Sequence, residues 1–237
     1  MGFRIVSLNI RHGGGKRIAQ LAHWLMTKSP NVMVLPEWRN DTAGRCALEI
    51  LKDSGFRTIA TSQENPKRNS VLLAAINLTE MQVSTPPHSA SGDLILIETA
   101  EQVRILGCYF PQGQAKASFF RKCIEVGSQN HDRPLVLIGD FNTGGNDLDI
   151  EGTGARFDCA DLFTALTREA GLIDLWRARH ADRQEWTWRS PVNGFRIDHA
   201  FGNETFINRF PAFKCEIDHE PRLSGLTDHS AVVVETE

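Results

Sequence analysis

The sequence predicts an α/β fold with much of its sheet antiparallel. Three observations carry this. Leu135–Ile138 is an unbroken apolar run, and Val32–Leu35 is another. Runs of that length without a polar alternate suit strands covered on both faces. Several longer segments carry apolar residues at helical spacing, such as Ile18, Leu21, Ala22, Leu25 and Met26. Between them, Val71–Ile76, Met81–Ser84, Leu94–Glu98 and Val103–Phe110 follow in quick succession. Connections that short favour antiparallel pairing.

Taken in order, Phe3–Leu8 reads as a strand ending at Asn9, followed by the glycine-rich loop I-R-H-G-G-G-K-R and the helix that starts near Ile18. The loop lacks the G-x-x-x-x-G-K-[ST] spacing of a nucleotide P-loop. Its basic groups, Arg11, His12, Lys16 and Arg17, suit a rim that touches substrate phosphate. Val32–Leu35 ends at Pro36-Glu37, and a helix is expected over Thr42–Ser54, stopped by Gly55. Phe56–Ala60 reads as a strand and Thr61–Asn69 as an exposed loop. Lys116–Gln129 and Cys159–Ala170 read as helices, and Leu172–Trp176 as a short segment. Trp186–Arg189 and Phe195–Phe201 form a hairpin signalled by Asn193-Gly194. Phe206–Ile217 is expected as a strand broken at Pro211, and Ala231–Glu235 as the last strand. Trp186 and Trp188 read as core residues.

Length and composition fit one domain over residues 1–237. No apolar stretch reaches membrane-spanning length, the N-terminus lacks a signal-peptide pattern, and a cytoplasmic location is expected. The five cysteines have no C-x-x-C spacing and read as reduced and mostly buried. With a formal net charge of −3, the chain cannot hold a polyanion by bulk charge, so a local patch or a metal must do so. Asp147–Asp158 places acids as a calcium loop does, but Asp158 stands where Glu is required and no entry helix precedes it. A solvated loop is the better reading.

Asn9, Glu37, Tyr109 and Asp140 with Asn142 all fall at C-terminal ends of apolar strands, and Asp228-His229 at the start of one. If that last strand runs antiparallel to the others, all share one rim. Hard oxygen donors suit magnesium. A histidine beside a carboxylate suits proton transfer or oxyanion contact. Together they point to phosphoester cleavage by water.

Six ordered motifs also resemble the endonuclease/exonuclease/phosphatase superfamily, the group of exonuclease III and pancreatic-type deoxyribonuclease. They are Leu8-Asn9-Ile10, Glu37, Tyr109-x-Pro111, G-D-F-N at Gly139–Asn142, R-I-D-H at Arg196–His199 and T-D-H-S at Thr227–Ser230. The resemblance implies a four-layer α/β sandwich, two mostly antiparallel sheets packed face to face with helices outside. It implies a Mg²⁺-dependent phosphodiester hydrolase, with Mn²⁺ as a substitute, acting on DNA, RNA or a smaller phosphodiester. A phosphomonoesterase acting on a small phosphorylated metabolite or lipid headgroup is the alternative, and a non-catalytic binding protein of the same fold a further one. Glu37 would be the principal metal ligand, helped by Asn9, with Asp228 beside the metal. Asp140 would orient or deprotonate the water, and Asn142 would bond a phosphate oxygen. His229, held by Asp198, would contact the scissile phosphate, and Tyr109 would bind phosphate or assist the leaving group. Arg11, His12, Lys16 and Arg196 are the substrate-binding candidates, and a monomer is the default.

Overall fold

The computed structural model describes residues 2–61, 65–76, 78–83 and 92–237. Residues 62–64 of the expected Thr61–Asn69 loop, and Ser84 at the end of an expected strand, lie outside the described residues. The elements, in chain order, are β1 (Phe3–Ser7), α1 (Ile18–Thr27), β2 (Val32–Trp38), α2 (Thr42–Asp53), β3 (Thr58–Thr61), β4 (Ser70–Ala75), β5 (Leu78–Val83), β6 (Asp93–Thr99) and β7 (Arg104–Tyr109). There follow α3 (Ala117–Gln129), β8 (Leu135–Asp140), α4 (Ala160–Ala170), β9 (Ile173–Asp174), α5 (Leu175–His180), β10 (Trp188–Arg189), β11 (Gly194–Phe195) and β12 (Asp198–Gly202). The chain closes with α6 (Glu204–Arg209), β13 (Lys214–Asp218), α7 (Glu220–Leu223) and β14 (Ala231–Thr236).

Two six-stranded sheets result, ordered β13-β14-β1-β2-β4-β3 and β5-β6-β7-β8-β12-β9. Each contains one parallel pair, β1 with β2 and β7 with β8, bridged by the crossover helices α1 and α3. The other neighbours are antiparallel.

Strand alternation explains the layers. Ile5, Val34 and Leu73 of one sheet meet Ile105, Val136 and Ile138 of the other in a shared core. Their neighbours Val6, Met33, Leu35 and Leu72 face outward under Leu21, Trp24 and Leu25 of α1 and Leu51 of α2. On the second sheet, Leu106, Leu135 and Leu137 face Phe119, Phe120 and Cys123 of α3 and Leu166 of α4. The central strands are therefore apolar on both faces, and the four-layer sandwich is the arrangement observed. Burying each such Leu, Ile or Phe contributes about 1.5–3 kcal/mol.

Several elements differ from the sequence reading. Phe206–Ile217 is not one strand: Asn203 Oδ1 accepts from Phe206 N at 2.9 Å and caps the short helix α6, and only β13 is extended. Phe195–Phe201 is split between β11 and β12. The β10–β11 hairpin closes through Ser190–Asn193, with Ser190 N donating to Asn193 O at 2.8 Å, so Gly194 sits in the strand.

Arg196, expected to bind substrate, is 1% exposed. Its Nε donates to Asp149 Oδ1 at 2.7 Å and one terminal nitrogen to Asp174 Oδ2 at 2.6 Å. The guanidinium therefore locks the Thr143–Phe157 loop to the β11–β12 connection and β9. Two acids of the calcium-like stretch are paired in the same way, Asp149 also with Arg177 and Glu151 with Arg189.

Burial works against the charge of Asp174, but the Arg196 and His199 side chains outweigh it and hold its carboxyl well below the usual range. A depressed acid stabilises the fold fully above its unfolded pKa near 4 and loses that contribution as pH falls below it. We therefore expect Arg196→Met, which takes the arginine partner from buried Asp174 and leaves Asp149 with Arg177 alone, to cost about 3–5 kcal/mol in urea unfolding at pH 7. The difference between variant and wild type should shrink as the pH is taken below about 4. A loss under 1 kcal/mol would contradict this account of the network.

Candidate active site

The ends of the parallel pairs and the antiparallel partners beside them build one rim. Past β1 the chain continues along β2, with Leu8 N donating to Val34 O and Ile10 N to Pro36 O. At Pro36–Trp38 the pairing of β2 with β4 shifts register, and Glu37 has φ +61°. A non-glycine residue in the left-handed region at a bulge carries backbone strain and re-aims its side chain. In the second sheet, Tyr109 is in register with Asp140, and Asp140 with Asp198. Gly139 is required here: a Cβ would stand 1.9 Å from Cys108 O. Phe141, next in the motif, packs 4.8 Å from Phe110 and anchors the turn in the outer core. The start of β14, antiparallel to β1, brings in Asp228 and His229. Thr227 Oγ1 donates to Asn9 O at 2.7 Å and ties the two sides together.

Asn9 is fully buried at the centre. Its Nδ2 donates to Asp140 Oδ2 at 2.9 Å and to Glu37 Oε1 at 3.2 Å, while its Oδ1 accepts from Arg11 N at 2.9 Å. Asn9 was expected to help hold the metal through oxygen. Here its oxygen faces the Arg11 backbone, and its amide nitrogen bridges the two carboxylates. Asp140 Oδ1 accepts from Asn142 N at 2.8 Å. Asn142, at φ +49°, donates its side-chain amide to Phe110 O at 2.8 Å and to Asp140 Oδ2 at 3.3 Å. Burial and the charge of Asp198 push the Asp140 carboxyl up to about 7, against the pull of His229 and the Asn142 amide.

His229 Nδ1 lies 2.8 Å from Asp198 Oδ2. Burial opposes the imidazolium, yet the charges and hydrogen bond of Asp198 and the charge of Asp140 raise its pKa to about 10. Its Nε2 has no partner among the described residues. Thr187, fully buried, supports both halves of this pair: its carbonyl accepts from Ser230 N and its hydroxyl from Asp198 N.

Tyr109 OH accepts from Asn69 Nδ2 at 3.2 Å, and burial with the charge of Glu37 drives its pKa far above the ordinary phenol value. It therefore remains a hydrogen-bond donor at neutral pH. Asp228, expected beside the metal, meets Trp188 Nε1 at 3.4 Å and Arg11 Nε at 3.7 Å. Glu37 Oε2 accepts from His12 N at 2.8 Å and lies 3.0 Å from His12 Nδ1. Lys16 is exposed on a turn beside the start of α2, lining a groove of about 500 Å³ with Asp41 and Thr42.

Sequence reasoning missed Asn69, Arg39 and Lys116, whose ammonium donates to Asn142 O from a nearly fully buried position. It also placed Trp188 in the core, whereas the indole borders Asp228 and the chain there bridges to His229.

The donor set fits a hard divalent cation. Glu37 and Asp140 converge on one neutral amide, and their mutual repulsion helps raise Asp140. A cation against them would relieve it. Asp140, Asp198 and His229 also place ligand atoms within 4.8 Å of one another. There the Asp198–His229 hydrogen bond already holds a proton where a metal would have to sit.

The model of the Endonuclease/Exonuclease/phosphatase family matches residues 6–214. The chain therefore belongs to the endonuclease/exonuclease/phosphatase family of divalent-metal-dependent phosphoesterases and is an enzyme of that class. Its backbone is similar to the Neisseria 3′ phosphatase NExo (D146N) bound to product DNA hairpin, with TM-score 0.84 and 22% identity over 99% of each chain. An AP endonuclease from Archaeoglobus fulgidus gives 0.78 and 17% over 98% of each chain. TDP2 from C. elegans gives 0.72 and 15% over all of this chain and 75% of its own. At these identities the likeness speaks to the fold. No curated protein matches the chain. Among the described residues, no helix is long and apolar enough to cross a membrane.

The pair at His229 has a consequence for pH. A raised histidine pKa stabilises the fold fully below its unfolded value near 6.5, and this contribution is lost as pH climbs through about 10. In Asp198→Asn, a histidine NMR titration should find His229 deprotonating well below the wild-type midpoint. An unchanged midpoint would separate Asp198 from the effect.

Proposed function

We propose that this enzyme is a Mg²⁺-dependent phosphodiester hydrolase whose substrate is a nucleic-acid strand. The observation that carries the reading is the juxtaposition of a raised, buried carboxylate and a histidine cation on one rim beside Glu37. Residues 1–237 act as one catalytic domain in this reading.

The metal would be held by Glu37, adjoining Asp140, with water completing its shell. When bound, it supplies a Lewis acid that polarises the phosphoryl oxygens. Asp140, fixed by Asn9 and Asn142, takes the proton as the oxygen of water attacks phosphorus. His229, kept protonated by Asp198, presents Nε2–H to the oxyanion that develops. Asn142 exchanges its longer bond, the one to Asp140, for a phosphate oxygen. Tyr109 donates its hydroxyl proton toward phosphate or the leaving oxygen as the P–O bond breaks, and water restores that proton. Arg11, exposed beside Asp228, and His12 line the approach.

A nucleic-acid substrate is favoured by the aromatic edge at Trp188 and by the DNA named for one structural neighbour. The measurement is cleavage of labelled single-stranded and duplex DNA with Mg²⁺, with and without an abasic site. Asp140→Ala and His229→Ala should each lower kcat by about 10²–10⁴-fold, and EDTA should abolish turnover. The rising limb of the pH–rate profile should fall at or below pH 7, because a cation near Asp140 favours its ionised form. Turnover of RNA, nucleotides or sugar phosphates but not DNA would move the substrate. Near-normal turnover by His229→Ala would overturn the mechanism.

A further inference from the structure

We propose that Arg39, steadied by Asn69 and His12, anchors a second oxyanion subsite that takes the phosphate adjoining the scissile one. The inference rests on the nucleic-acid reading above and narrows it to a strand with more than one phosphate.

Arg39 follows β2 directly, two residues beyond Glu37. Its Nε donates to Asn69 Oδ1, and a terminal nitrogen lies 3.1 Å from His12 Nδ1. Asn69 Nδ2 in turn reaches His12 Nδ1 and Tyr109 OH, both at 3.2 Å. Gly13, at φ +74°, lets the basic loop close on the arginine stem, and a Cβ there would stand 3.2 Å from Arg39 Cβ. Among the described residues, no carboxylate lies within ion-pair distance of Arg39. By contrast, Arg68, Arg104, Arg177 and Arg196 each have one.

Ordering an arginine side chain costs rotamer entropy. Here that cost is borne by Asn69 and His12, so the guanidinium is held without a carboxylate partner, and its remaining N–H groups have no partner among the described residues. A fixed, planar, uncompensated fork suits a phosphate oxyanion. The subsite lies on the Glu37 flank of the rim, whereas His229 serves the Asp140 flank, so one phosphate group is not required to satisfy both. A substrate with a single phosphate would leave Arg39 idle.

The test is a cycle in kcat/KM between Arg39→Gln and neutral methylphosphonate linkages placed one at a time beside the cleaved bond. We expect about a tenfold loss from the variant, a similar loss from one flanking neutral linkage, and no further loss when the two are combined. Losses that multiply at every position would overturn the subsite. Coupling to a terminal phosphomonoester in place of an internal linkage would overturn the flanking assignment.

A second readout does not need turnover. In the Asp140→Asn background, fluorescence anisotropy with a labelled single strand should show the salt slope of binding reduced by about 0.7 on Arg39→Gln. Arg39→Lys should keep the slope and recover only part of the affinity. An unchanged slope in Arg39→Gln, with its melting temperature preserved, would overturn the proposal. Failure of wild type to cut any strand would strike the nuclease reading, and the anisotropy series would still judge Arg39.

Discussion

The structure depends on one buried amide between two acids. Asn9 Nδ2 contacts both Glu37 and Asp140, and Asn9 itself is sealed from solvent. A neutral donor can orient two carboxylates but cannot cancel their charge; burial and the charge of Asp198 raise the pKa of Asp140, and Glu37 adds to the rise. The surrounding fold sustains this. Glu37 is held in a left-handed bulge, Gly139 lets Asp140 approach beside β7, and Thr227 fastens Asn9 to the start of β14. A site whose local energetics are unfavourable needs such a rigid frame, and the four-layer packing provides it.

The rim divides its work by charge. Asp198 and His229 form a pair that keeps a proton over the physiological range, while Glu37 and Asp140 place two carboxyl groups side by side on the opposite edge. The two edges adjoin at Asp140. This separation allows a single buried cleft to offer a cationic donor and a cation-binding face together. Three arginines illustrate how position decides role. Arg196 is spent on Asp149 and Asp174, Arg11 is exposed near Asp228, and Arg39 is held by Asn69 and His12.

Much of this was legible in the sequence because strand ends and chemistry coincide. Asn9, Glu37, Tyr109 and Asp140 each follow an apolar run, and the antiparallel β14 turns Asp228-His229 to the same edge. The four layers follow from strands apolar on both faces. What escaped was long-range or local in a way periodicity does not record. Arg196 reads as a motif residue until its partners arrive from 47 and 22 positions away. The short helix α6 depends on an Asn203 cap, in a stretch whose Phe and Ile suggest a strand. Asn69 sits in a polar loop with nothing to distinguish it until Tyr109, His12 and Arg39 surround it. Asn9 was identified, but the side of its amide that faces the carboxylates is a matter of geometry alone.

The most direct measurement of the central claim is a crystal structure of the protein soaked in Mn²⁺, with the metal located by anomalous scattering. The account predicts a peak within bonding distance of the Glu37 carboxylate and adjoining Asp140, with the Asp198–His229 hydrogen bond intact. A peak ligated by His229 and Asp198, with Glu37 left unliganded, would contradict it.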